Sequence, residues 1–70
     1  MFNNGNIMEL THREIEVLKL IVKELNCKQI AEELHISIHT VQSHRKNLYK
    51  KTKSKTIIGL VNYAHAQKLI

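Results

Sequence analysis

Proline is absent from the 70 residues, glycine occurs only at Gly5 and Gly59, and cysteine only at Cys27. With so few helix breakers, helices joined by short turns are the expected architecture. A single thiol excludes an internal disulfide and fits a reducing compartment. Tryptophan is missing, and the aromatic set is Phe2, Tyr49 and Tyr63. Apolar runs stop at two or three residues, as in Leu20-Ile21-Val22. Such runs supply neither a transmembrane span nor a signal-peptide core, and a cytoplasmic location without a membrane partner is expected. A chain this short is one domain at most and buries only a modest core.

The most informative absence is of acidic charge. From Met1 to Leu34 there are four basic residues (Arg13, Lys19, Lys23 and Lys28) and six acidic ones, giving −2. From His35 to Ile70 there are seven basic residues (Arg45, Lys46, Lys50, Lys51, Lys53, Lys55 and Lys68) and no acidic one, giving +7. Ordinary solvated helices mix the two signs. A second half without a single carboxylate side chain points to an anionic partner.

What is present is helical punctuation. Residues 1–8, "MFNNGNIM", show no periodicity and read as a tail or linker remnant, with the domain over residues 9–70. Thr11 followed by Glu14 forms a capping box, and Ile15, Leu18, Val22 and Leu25 follow at helical spacing, giving a first helix over about 12–23. Asn26 caps a second helix over about 27–34 with Ile30, Ala31 and Leu34 inward. Ser37 caps a third over about 38–51, with Val41, Leu48 and the stem of Lys51 or Thr52 on the buried side. After the polar break Lys53-Ser54-Lys55-Thr56, a fourth helix over about 57–67 carries the apolar stripe Ile57, Leu60, Val61 and Ala64. Gly59 inside it costs about 1 kcal/mol against alanine, which implies close packing or a weak first turn.

The second and third helices are separated by about three residues and the second of them is basic, the layout of a helix-turn-helix. A helix that reads DNA needs one apolar side for its own domain and one side of cations and hydrogen-bonding groups for phosphates and base edges. Ser37 and Thr40 add hydroxyls and free backbone N–H groups at the amino end, a phosphate-binding arrangement. Gln42, Ser43, Arg45, Lys46 and Asn47 supply the donors and acceptors that read a major groove. Lys50, Lys51, Lys53 and Lys55 are expected to attract phosphates without sequence preference.

The pieces LTHRE-EVL-LI over Leu10–Ile21, KQIAEEL over Lys28–Leu34 and IS-HTVQSHRKN over Ile36–Asn47 match, in order and spacing, the LuxR-type (GerE-like) DNA-binding domain. The chain resembles that family over about residues 10–70. The resemblance implies an all-α, compact four-helix helix-turn-helix domain, with the third helix in the major groove and the fourth in a dimer contact. It implies sequence-specific binding to double-stranded DNA as the output domain of a bacterial transcriptional regulator, such as a response regulator. By alignment, Gln42, Ser43 and Lys46 fall at base-contacting positions, and Lys28, Ser37, Thr40, His44 and Lys50 at or near backbone-contacting ones. Leu60, Val61 and Ala64 fall on the helix assigned to a homodimer interface. RNA polymerase is a further partner such a domain would meet. Departures stand out too. Lys23 and Glu24 occupy the place where the family commonly has Gly, so a looser turn is expected after the first helix. Cys27 replaces a usual Asn, Gln42 a common Lys, and Thr52 and Ser54 usual apolar residues.

Other readings are weaker. Cys27, His35, His39 and His44 are metal-binding residue types, and His35 and His39 have i,i+4 spacing, but His35 falls in the turn and no compact ligand set results. No metal or other cofactor is expected. His44 reads equally as a phosphate contact or a half-buried packing residue. Tyr49 and Tyr63 read as packing residues, and Cys27 as a small filler. No nucleophile, acid–base pair or phosphate loop supports an enzyme. A helical protein-interaction or sigma-like adaptor module is the alternative. It would show aromatic and aliphatic anchors on the exposed face of the third helix, and Gln42, Ser43, Lys46 and Asn47 offer none.

Overall fold

The computed structural model describes residues 10–70, and the expected tail over residues 1–8 lies outside them. Four helices and no strand occur among the described residues: α1 (His12–Val22), α2 (Cys27–Leu34), α3 (Ile38–Thr52) and α4 (Ile57–Ala66). Each starts where a side chain satisfies an N–H group that the first turn leaves unpaired. Thr11 Oγ1 accepts from Glu14 N at 3.1 Å while Thr11 N donates to Glu14 Oε1 at 2.8 Å. Asn26 and Gln29 exchange the same pair of bonds at 2.8 Å each. Ser37 Oγ accepts from Thr40 N at 3.0 Å, and Thr56 Oγ1 from Gly59 N at 3.1 Å.

The helices also end alike. Glu24, His35, Lys53 and Lys68 adopt left-handed backbone conformations with φ between 57° and 69°. Beyond each, the next N–H reaches back five residues: Leu25 to Leu20 O, Ile36 to Ala31 O, Ser54 to Tyr49 O and Leu69 to Ala64 O, at 2.8–3.1 Å. This closure usually employs glycine, because a Cβ disfavours φ > 0. The looser turn expected at Lys23-Glu24 is therefore not found; Glu24 takes the left-handed conformation itself. Leu25, Ile36 and Leu69 then fold back onto the core. Ser54 stands in the corresponding place after α3, and its Oγ lies 2.8 Å from Thr52 Oγ1, whose hydroxyl also reaches Leu48 O at 2.7 Å.

That polar corner explains Gly59. A Cβ at this position would lie 3.1 Å from Ser54 Cβ and 3.3 Å from Ser54 Oγ. Glycine lets the α3–α4 connection close against the first turn of α4, the close packing expected of it.

The core draws on every helix: Val17, Leu18 and Ile21 from α1, Ile30 and Ala31 from α2, Val41 and Leu48 from α3, and Leu60 and Ala64 from α4. Seven of these nine side chains are fully buried. Truncating a buried Leu or Ile to Ala typically costs about 2–5 kcal/mol, a large part of the stability of so small a domain. Because α3 packs against both α1 and α2, its inner face is clamped and its outer face is held at a fixed orientation.

Candidate nucleic-acid interface

The two faces of α3 follow from its periodicity. Val41 and Leu48 are fully buried, and half-buried Arg45 and Thr52 continue the same inward line. His39, Ser43, Lys46 and Lys50 repeat that spacing on the opposite side, and all four are exposed. Gln42 and Asn47 flank the outward line and are exposed as well. This face carries two ammonium groups, an imidazole, a hydroxyl and two carboxamides. None of these six side chains is a carboxylate or a hydrophobic group, while Ile38 at the start of α3 is exposed as well.

Of the residues expected at base edges, Gln42, Ser43, Lys46 and Asn47 thus share one exposed surface. Arg45 does not join them. It lies on the Val41–Leu48 side, where Nη1 donates to Cys27 Sγ at 3.0 Å and Nε is buried without a partner. The Cys27 hydrogen bond raises the Arg45 pKa above its ordinary value while burial opposes it. The guanidinium therefore remains charged, but it ties α3 to the first turn of α2 beside Ile21, Leu25, Ile57 and Val61. Arg45, also expected at base edges, thus lies apart from the surface that Gln42, Ser43, Lys46 and Asn47 share. Its composition had suggested a groove-reading side chain; its register turns it inward.

The expected backbone contacts surround the same face. At the amino end of α3, the hydroxyls of Ser37 and Thr40 lie 2.8 Å apart. The first turn there leaves backbone N–H groups directed outward, where a phosphate oxygen is favoured. Lys50 is exposed toward the carboxyl end, Lys28 is exposed in the first turn of α2, and His44 is half-buried at the flank. Lys53 and Lys55, expected to attract phosphate without sequence preference, are exposed. Lys51 departs from that expectation. Its Nζ lies 2.8 Å from Glu14 Oε1 of α1, and Glu14 is only 3% exposed. Sequence reading recognised Glu14 as a capping residue and missed this second role.

The surface of α4 also differs from expectation. Leu60 and Ala64 are 0% exposed and belong to the domain's own core, so neither presents a surface to a second copy. Val61 is half-buried, whereas Ile58 is 71% and Ile57 49% exposed. The stripe Leu60–Ala64 meets α1 and α3 because its spacing gives one apolar face, and the core takes it.

His39 was considered only as a metal ligand. The structure places it on the outward line of α3, and the signal for that was available as the spacing back from Ser43, Lys46 and Lys50. Among the described residues no group of three or more metal-ligating side chains forms. No helix there is long and apolar enough to cross a membrane.

A family model described as bacterial regulatory proteins, luxR family, matches residues 8–64. The chain belongs to the LuxR family. Its α2–turn–α3 unit is the helix-turn-helix of that family's DNA-binding domain. Similar LuxR-family relatives include the Fimbriae Z protein of Escherichia coli (strain K12), 35% identical over 97% of this chain and 32% of the relative. The Oxygen regulatory protein NreC of Staphylococcus carnosus (strain TM300) is 41% identical over 87% of this chain and 28% of its own length. Among solved structures, the response regulator ChrA of a heme-sensing two component system superposes with a TM-score of 0.82 at 33% identity, over 90% of this chain and 31% of that one. This LuxR-family chain therefore spans about a third of the length of its relatives.

Proposed function

We propose that this LuxR-family domain binds double-stranded DNA sequence-specifically, as the output domain of a bacterial transcriptional regulator acting in the cytoplasm. The observation that carries the reading is the outward face of α3. Gln42, Ser43, Lys46 and Asn47 stand exposed on a helix whose opposite face is locked into the core. In this reading Gln42, Ser43 and Lys46 meet base edges in the major groove, with Asn47 beside them. A carboxamide such as Gln42 pairs with adenine, and an ammonium such as Lys46 with guanine. Lys28, Ser37, Thr40, His44 and Lys50 meet the phosphates and fix the register of the helix.

A second copy on a neighbouring half-site, about 34–36 Å along the duplex, is the partner we assign to α4. Its contact would use Ile58 and the edge of Val61 rather than Leu60 and Ala64. Likeness to a response regulator supports placing the domain downstream of a phosphorylation-controlled partner domain in the intact regulator. The test is selection from a pool of random duplexes. Enrichment of one defined motif, flattened by Lys46→Ala, supports the proposal; recovery of unrelated sequences at equal frequency contradicts it.

A further inference from the structure

Four large aliphatic side chains stand exposed among the described residues: Ile38, Ile57, Ile58 and Ile70. The last three belong to α4 or to the segment after it. Ile38 alone lies in the α2–turn–α3 unit, at the first position of α3. Its side chain serves neither the core nor the helix cap. Ile36, two residues earlier, packs on the core, whereas Ile38 is 43% exposed and outside that cluster. The helix start is closed by Ser37 and Thr40 without it.

Isolated aliphatic side chains on a surface are ordinary; what sets Ile38 apart is its place. One turn on, at i+4, stands Gln42, exposed along the same edge of α3. The N-terminal residues of a recognition helix are the ones that reach base edges. In the major groove the apolar feature of a base pair is the thymine C5-methyl group, and apolar side chains contact it there. We propose that Ile38 contacts a thymine methyl group and so sets a preference for thymine close to the base pair that Gln42 reads. Such a contact rests on the DNA-binding reading above and adds to it a group that hydrogen bonding cannot detect. A protein partner would call for a cluster of anchors, and the exposed neighbours Ser37, His39 and Gln42 supply no second apolar one.

The helix fixes where the thymine lies. Four residues rise about 6 Å along its axis, and neighbouring base pairs are about 3.4 Å apart. The methyl group therefore falls within about two base pairs of the pair read by Gln42.

The test replaces each thymine of the selected duplex, one at a time, with deoxyuridine, which pairs alike and lacks only the methyl group. Fluorescence anisotropy then compares the unmodified protein with Ile38→Ser, while Gln42→Ala on single-base variants locates the pair that Gln42 reads. The expected result is one deoxyuridine position, within about two base pairs of that pair, that weakens the unmodified protein about three- to fivefold, the worth of one buried methyl group. Ile38→Ser should bind the thymine and deoxyuridine duplexes alike at that position. Its thermal melt should match that of the unmodified protein, because the side chain is exposed. Equal weakening of both proteins assigns the methyl contact to another residue. No sensitive position, or a selected site without thymine in that window, means that Ile38 reads none. Each of these results overturns the proposal while leaving DNA binding intact. Recovery of no preferred sequence removes the DNA reading and this contact together.

Discussion

Lys51 Nζ lies 2.8 Å from Glu14 Oε1 and joins the last turn of α3 to the first turn of α1 across 37 positions of sequence. The same carboxylate oxygen accepts from Thr11 N at 2.8 Å. One buried carboxylate thus caps α1 and helps set the position of α3 against it. Removing one partner of a buried pair strands the other's charge away from water. Lys51→Met should therefore destabilise the domain by about 2–4 kcal/mol, less than the fully buried limit because the Lys51 side chain is 19% exposed. Adding Glu14→Gln should restore part of the loss. Urea denaturation of the single and double variants measures both; an unchanged midpoint for Lys51→Met would refute the assignment.

The pair also makes stability depend on pH. Burial pushes the Glu14 carboxyl up, but the Lys51 ammonium together with the Thr11 N–H and hydroxyl holds it below its ordinary value of 4.5. A carboxyl whose folded value is depressed stabilises the fold when ionised. That contribution is complete above the unfolded value and is lost as pH falls through the lower folded one. Urea midpoints taken from neutral pH down to about pH 3 should fall below the ordinary carboxylate range, and fall less in Lys51→Met. Identical acid profiles for the two proteins would contradict this.

The four left-handed residues offer an independent check on the backbone. Glu24 has φ 69° and Lys53 φ 57°, and neither is glycine. A side chain in this region costs about 1–2 kcal/mol relative to glycine, partly offset by glycine's greater freedom when unfolded. Glu24→Gly and Lys53→Gly are each expected to stabilise the domain by roughly 0.5–1 kcal/mol, whereas the same changes in a helix interior destabilise. Thermal melts that drop for both variants would show that these turns close in another way.

Arg45 and Lys46 are adjacent in sequence and opposite in role. Lys46→Ala should cost about 1–3 kcal/mol of binding to the selected site and loosen base preference. Arg45→Met should leave base preference intact and register instead in stability, because the guanidinium is held against Cys27 inside the fold. Binding profiles over single-base variants of the site separate the two. A loss of discrimination with Arg45→Met would return that residue to the DNA surface.

These residues also mark what was legible in the sequence. The helix starts were readable at Thr11, Asn26 and Ser37 because a capping side chain and the N–H it binds lie three residues apart. The basic, carboxylate-free character of α3 was readable for the same reason: it is local. Lys51 and Glu14 illustrate the opposite case. Each has an ordinary local reading, as a surface cation and a cap, and only packing of α1 on α3 brings them together. At Arg45 composition suggests DNA, whereas its register with Val41 and Leu48 turns it toward Cys27. Leu60 and Ala64 were placed at an interface by family likeness, although an apolar stripe in so small a domain is first claimed by its own core. Glu24 shows that a missing glycine need not loosen a turn when Leu25 and the core hold the chain in place.

The most direct measurement is nuclear magnetic resonance of the isotopically labelled domain, titrated with the selected duplex and with a scrambled one. The expected result is that amide and side-chain signals of His39, Gln42, Ser43, Lys46, Asn47 and Lys50 shift with the selected duplex, together with Ser37 and Thr40 at the helix start. Arg45, Leu60 and Ala64 should shift little, and the scrambled duplex should perturb mainly the phosphate-contacting group. Shifts centred on α1 or α4 with α3 silent, or no shifts at all, would contradict the claim that the outer face of α3 meets DNA.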